Sequence, residues 1–142
     1  MEGYDGRKAP WVLWDAVKEV LGLQDPRQLV AFIYSSNTQK HHIAQLAPLV
    51  IGAYGRDGEA QKIIDAAIGE LTKLIPPLIR ALKGDEISLG LCGGLLEGSS
   101  TYRELFIKAI EKDFPVLKPH LPFNGAAKGA LILAIEGLEL AE

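Results

Sequence analysis

The chain has 142 residues, 48% of them apolar and 23% charged, with a formal net charge of −3, values of a soluble globular protein that we expect to form a single domain over residues 1–142. No basic run exceeds two residues, which argues against nucleic acid as the main partner, and no apolar stretch nears the roughly 20 residues that a bilayer span requires. One cysteine, Cys92, excludes a disulfide framework within the chain and any Cys-rich zinc or iron–sulfur site.

Residues 1–10 are polar and Gly-rich and read as a loop without an apolar leader, so the cytoplasm is the default compartment. A helix is predicted over 11–21, with Leu13, Val17, Val20 and Leu21 at helical spacing and Gly22 as its stop. Asp25-Pro26 opens a second helix, Asp at the N-cap and Pro at the first helical position. That helix carries Leu29, Val30, Phe32 and Ile33 and ends near residues 35–38 (SSNT). Residues 39–54 read as helix, a break at Pro48, then helix again. From Glu59 a long pattern puts Ile63, Ile64, Ala67, Ile68, Leu71, Leu74 and Ile75 on one face until Pro76-Pro77. A proline inside a helix costs about 3 kcal/mol or more, so a kink or a restart is expected there.

Residues 83–86 form a turn, and 87–92 (ISLGLC) are too short and too apolar for an exposed helix. They predict a buried, parallel strand. Thr101 with Glu104 has the capping-box form and opens a helix to about 112. Residues 115–119 (PVLKP) are a short strand candidate, and a last helix is predicted over 125–140. The first two-thirds are thus helical and the last third alternates strand and helix. Two strands do not complete a doubly wound sheet, which usually has about 5–6.

The stretch 88–100 (SLGLCGGLLEGSS) places two adjacent glycines directly after a strand. Strand, Gly-rich turn and helix in succession are a standard nucleotide position in α/β proteins, since ligands sit beyond the carboxyl ends of the strands. Gly90, Gly93, Gly94 and Gly98 do not have Rossmann spacing, and GLLEGSS lacks the lysine of a Walker A loop. From the glycines alone, a tight turn with no ligand accounts for them equally well.

Six segments, in order, resemble those of sugar kinases of the actin/hexokinase-like superfamily, in the N-acetylglucosamine kinase branch grouped with BadF/BadG ATPases. They are DGR.AP (5–10), LGLQDPRQLVAFIYSS (21–36), IAQLAPLV (43–50), GRDGEAQKIIDAAIGELTKLI (55–75), LGLCGGLLEGS (89–99) and GAAKGALILA (125–134). The resemblance covers nearly the whole chain. It implies an α/β fold, the C-terminal domain of the actin-like (ribonuclease H-like) ATPase fold, largely helical with a small incomplete parallel sheet. It implies further that the chain is the C-terminal, nucleotide-binding part of a two-domain kinase. ATP would rest its adenosine on Gly93 and Gly94, with Leu95 and Gly98 lining that side and Gly52 facing the base.

The phosphate hairpin, the catalytic Asp and the sugar site of that family belong to the half that precedes these segments. None of Asp5, Asp15, Asp25, Asp57, Asp65, Asp85 and Asp113 sits in the family's D-G-G-x-T-x-T motif. The resemblance therefore implies no catalytic residue and no metal ligand here. ATP and Mg²⁺ would act with the other half, which would take an amino sugar or hexose. Transfer in the family is in-line, with an Asp accepting the sugar hydroxyl proton. This chain is not expected to be active alone, and a homodimer is compatible with the reading. Two alternatives stay open: an ATPase activator of a 2-hydroxyacyl-CoA dehydratase, or a non-catalytic interaction domain that retains the fold.

The remaining features have plain readings. His41-His42 point about 100° apart on a helix, which suits a solvated face better than a shared metal. His120 reads as a loop histidine, Cys92 as a small buried residue, and Ser99 and Ser100 as helix caps. Trp11 and Trp14 read as core or interface.

Overall fold

The structure, a computed structural model, describes residues 13–82 and 84–139. The segment 5–10, Trp11, Lys83 and residue 140 lie outside the described residues. The chain divides into two compact units, Met1–Lys73 and Leu74–Glu142.

The first unit is helical. Helix α1 (Leu13–Leu21) stops where predicted: Gly22 takes φ +64°, and the Leu23 N–H reaches back to the Lys18 carbonyl at 2.9 Å. Helix α2 (Pro26–Ile33) opens with a complete capping box. The Arg27 N–H donates to Asp25 Oδ1 at 2.7 Å, and the Asp25 N–H donates to Gln28 Oε1 at 3.2 Å. The chain then breaks between α3 (Lys40–Ala44) and α4 (Ala47–Ala53), with Pro48 in the first turn of α4, where it lacks no needed bond. Helix α5 (Gly58–Thr72) buries Ala60, Ile64 and Ile68, a narrower stripe than expected, since Ile63 is 43% exposed. Helix α4 packs against both α1 and α5.

Asp57 holds the start of α5. It is buried, and its Oδ1 accepts the N–H groups of Glu59 and Ala60, both at 2.9 Å. Asp57→Ala would leave one buried and one part-buried donor unmet and should cost about 1 kcal/mol, within a range of roughly 0.5–2. Asp57→Asn should keep most of that. A thermal melt distinguishes the two, and an unchanged melting temperature for Asp57→Ala would show that the cap does not hold α5.

The second unit begins with α6 (Ile75–Leu82). Pro76 and Pro77 fall in its first turn, so the prolines mark a restart and not a kink. Strand β1 (Ile87–Gly90), helices α7 (Gly94–Gly98) and α8 (Ser100–Asp113), and strand β2 (Leu117–His120) follow, and α9 (Ala126–Glu139) ends the described chain. The strands pair in parallel, with Ile87 opposite Leu117 and Gly90 opposite His120. Among the described residues this is the whole sheet. One face buries Ile87 and Leu117; the other exposes Ser88, Gly90 and Lys118. Helix α8 contributes Tyr102, Phe106 and Ile110 at four-residue spacing, all buried, and packs beside β2.

Pro119 is tolerated inside β2 for a geometric reason. The Ile87 and Leu91 N–H groups donate to the Val116 and His120 carbonyls, both at 2.8 Å. The parallel alternation then turns the Pro119 nitrogen to the outer edge, where a missing N–H breaks no ladder bond. Other parts of this unit remain uncovered. Helix α9 exposes Leu131, Ile132, Leu133 and Ile135, and α6 exposes Leu78 and Leu82. No helix among the described residues is long and apolar enough to cross a membrane.

Candidate functional site

The glycine turn sits at the carboxyl end of β1. Leu91 takes the last buried position at 2% exposure, so the next residue, Cys92, points outward. This corrects the expectation of a buried cysteine: the alternation of the extended chain assigns the buried slot to Leu91. Gly93 adopts φ +101°, ψ 153°, a conformation that side-chain-bearing residues rarely reach. Gly94 starts α7, a five-residue helix that the sequence did not suggest.

Two longer-range partners hold α7. The Gly93 N–H donates to Glu97 Oε1 at 2.6 Å, closing the turn from the helix side. Arg103 Nη1 donates to the carbonyls of Leu96 at 2.7 Å and Glu97 at 3.2 Å, satisfying the open end of the helix. Helix α8 comes next with Ser99 as its N-cap, the Ser99 Oγ accepting the Tyr102 N–H at 3.2 Å. The cap therefore lies two residues before Thr101.

Four of the five candidate residues share this segment. Gly94 and Gly98 are one helical turn apart, Leu95 stands beside them about 100° round the helix from Gly94, and all three are exposed. A Cβ built on Gly94 or Gly98 would meet no atom within 4 Å. The result is a strip of bare helix backbone flanked by one aliphatic side chain. Gly52 belongs to the first unit, exposed on α4, again with open space where a Cβ would be. Its carbonyl accepts a hydrogen bond from Arg56 Nη2. Nearby, the Tyr54 hydroxyl donates to Asp65 Oδ1 at 3.0 Å, and this bond holds the phenol above its ordinary value.

Charge decides what the turn can accept. Glu97 puts a carboxylate directly on Gly93, so a phosphate here would meet negative charge. The same carboxylate is an acceptor for hydroxyl groups. The arrangement suits a neutral sugar or base and not an anion. Glu97 belongs to no motif in the sequence, and its spacing of four from Gly93 is the one signal that could have found it.

Several carboxylates have structural partners. Asp25 and Asp57 cap helices, Asp65 accepts from Tyr54, and Asp15 lies 2.9 Å from Lys18 Nζ. The rings of His41 and His42 lie 4.0 Å apart in spite of their angular separation, and His42 Nδ1 accepts the Gln39 N–H. Among the described residues no group of three His, Cys, Asp or Glu could hold a metal ion. An open cavity of about 380 Å³ beside Asp15, Lys18, Glu19, Gly22, Leu23 and Gln24 contains none of the candidate residues.

No protein-family model and no solved structure matches the chain. An N-acetylmuramic acid/N-acetylglucosamine kinase of Clostridium acetobutylicum is 26% identical over 137 residues, 94% of this chain and 45% of that protein. The chain is thus distantly similar to a sugar kinase and spans less than half the length of that relative.

Proposed function

We propose that this chain is the adenosine-binding, C-terminal part of an ATP-dependent sugar kinase with the actin-like ATPase fold, of the branch grouped with BadF/BadG ATPases. The single observation that carries the reading is the bare strip of Gly94, Leu95 and Gly98 at the carboxyl end of a parallel strand. Glu97 supports adenosine over phosphate, because it repels the one and can accept ribose hydroxyls from the other. The distant similarity to an amino-sugar kinase supports N-acetylglucosamine, N-acetylmuramic acid or a hexose as the phosphoryl acceptor. The exposed aliphatic residues of α6 and α9 support a larger body in which both helices are covered.

In this reading the chain supplies no catalytic base. Mg²⁺ would be held by the ATP phosphates and by residues of the phosphate-binding half. What Gly93, Gly94, Leu95 and Gly98 do is bind and orient: they fix the base and ribose so that the phosphates project toward that half. Alone, the chain should bind nucleotide weakly and transfer nothing.

Calorimetric titration of the 142-residue chain tests this directly. ATP with Mg²⁺ and adenosine should compete for one site, and inorganic triphosphate should not bind there. Gly94→Val places side-chain atoms on the strip, and its Cβ meets no atom of the protein within 4 Å, so it should weaken ATP at least about tenfold while the melting temperature holds. A Gly94→Val chain that binds ATP as well as the parent would sink the nucleotide reading of this turn.

A further inference from the structure

The two strands end side by side, so the segment after β2 lies at the same end of the sheet as the glycine turn. Gly90 is in register with His120, and the Leu91 N–H donates to the His120 carbonyl. Three residues beyond that pair the chain reaches Gly93 after β1 and Phe123 after β2. Phe123 is 86% exposed, unusual for a phenyl ring that has a stacking partner. That partner is His120: the ring centroids are 4.7 Å apart with an interplanar angle of 26°.

His120 is held in one orientation from both sides. A carbonyl oxygen only accepts, so the contact of Nδ1 with the Leu121 carbonyl at 2.8 Å requires the proton on Nδ1. In the neutral ring Nε2 is then an acceptor, and it receives the Ser88 hydroxyl at 2.7 Å. Ser88 stands on β1, so this bond ties the end of one strand to the other. The position opposite His120 is Gly90, where a Cβ would come within 4.0 Å of both His120 Cε1 and Cys92 Sγ. The imidazole is thus a fixed plate, and the phenyl ring lies on it with its outer face open.

We infer that the His120–Phe123 stack is an aromatic platform for the purine base of the nucleotide, a role that rests on the reading of the glycine strip as the adenosine site. Both features lie at the carboxyl end of the same parallel pair, where ligands of α/β folds sit. The strip and Glu97 serve the ribose side and the open phenyl face takes the base. Stacking on an aromatic ring needs no particular hydrogen-bond pattern, so the platform selects a flat heteroaromatic ring and not one nucleobase alone. Ser88 and His120 act as positioning residues: they hold the lower ring so that the upper one presents its face.

The test uses the intact chain, with ATP and adenosine as probes and inorganic triphosphate as the base-free control. Phe123→Ala should weaken ATP and adenosine about tenfold and leave the melting temperature unchanged, since the side chain is exposed. Phe123→Trp should restore or exceed parent affinity. Ser88→Ala frees the imidazole and should give a smaller loss. The decisive arrangement pairs these with Gly94→Val. If Gly94→Val abolishes binding and Phe123→Ala binds as the parent does, the platform is wrong and the strip stands. If Phe123→Ala and Phe123→Trp follow expectation while Gly94→Val binds normally, the platform stands without the strip. A parent chain that binds neither ATP nor adenosine overturns both.

Discussion

Ile110→Ala should lower the stability of the second unit by about 2–5 kcal/mol, the usual range for emptying a fully buried aliphatic site. Ile110 is the side chain with no exposure at all in α8, and it completes the stripe begun by Tyr102 and Phe106 at 4% and 3% exposure. That stripe packs beside β2, in a sheet that is two strands wide among the described residues, so little else there can close over a cavity. Natural domains hold roughly 0.05–0.15 kcal/mol per residue, and a loss of this size removes much of what a unit of this length contains. Ile110→Val should cost less, about 0.5–1.5 kcal/mol, and Lys108→Ala on the exposed side of the same helix should stay within about 0.5. Urea unfolding followed by far-ultraviolet circular dichroism reads these values. Trp14 lies on α1 in the first unit, so its fluorescence in a Trp11→Phe background gives a separate record of that part. A shift below about 1 kcal/mol for Ile110→Ala would show that α8 does not anchor the sheet.

Local chemistry made much of this architecture readable in the sequence. Asp25-Pro26 specifies a helix start by itself, because the cap, the missing N–H and the Gln28 side chain act within four residues. Pro76-Pro77 likewise forces a boundary whatever the tertiary context. The short apolar run of β1, the helical pattern after it and the short segment bounded by Pro115 and Pro119 sufficed to predict a parallel pair. What escaped prediction depends on side-chain contacts that no cap, turn or periodic pattern signals. Helix α7 contains two glycines in five residues and has poor intrinsic propensity. It is helical because Arg103 reaches back seven residues to its last carbonyls and Glu97 returns to Gly93. His120 reads as a loop residue in the sequence because prolines flank it closely, but strand pairing across 32 residues brings Ser88 to its ring. The candidate site was partly legible for the same reason: its glycines could be named and Glu97 stands four residues from Gly93, whereas the Ser88–His120 bond beneath Phe123 becomes visible only once the two strands are in register.

Gly93→Ala and Gly94→Ala should move stability in opposite directions, although the residues are neighbours. Gly93 sits at φ +101°, where a Cβ is strained whatever the space around it, and Gly93→Ala should cost about 1–3 kcal/mol. Gly94 opens α7 outside that region and with nothing near its missing Cβ, so Gly94→Ala should be neutral or stabilising by up to about 1 kcal/mol. The contrast separates two uses of glycine that a GG pair presents as one. Backbone geometry demands the first. No atom of the chain demands the second, and under the proposed reading its open space would admit the nucleotide. Urea midpoints measured beside ATP titrations divide the outcomes. If Gly94→Ala destabilises as much as Gly93→Ala, both glycines serve the turn and the ligand argument falls. If Gly94→Ala keeps its stability and loses affinity, with Gly94→Val losing more, the open space belongs to the nucleotide. The size of that graded loss then measures how closely the base and ribose approach the backbone at the end of β1.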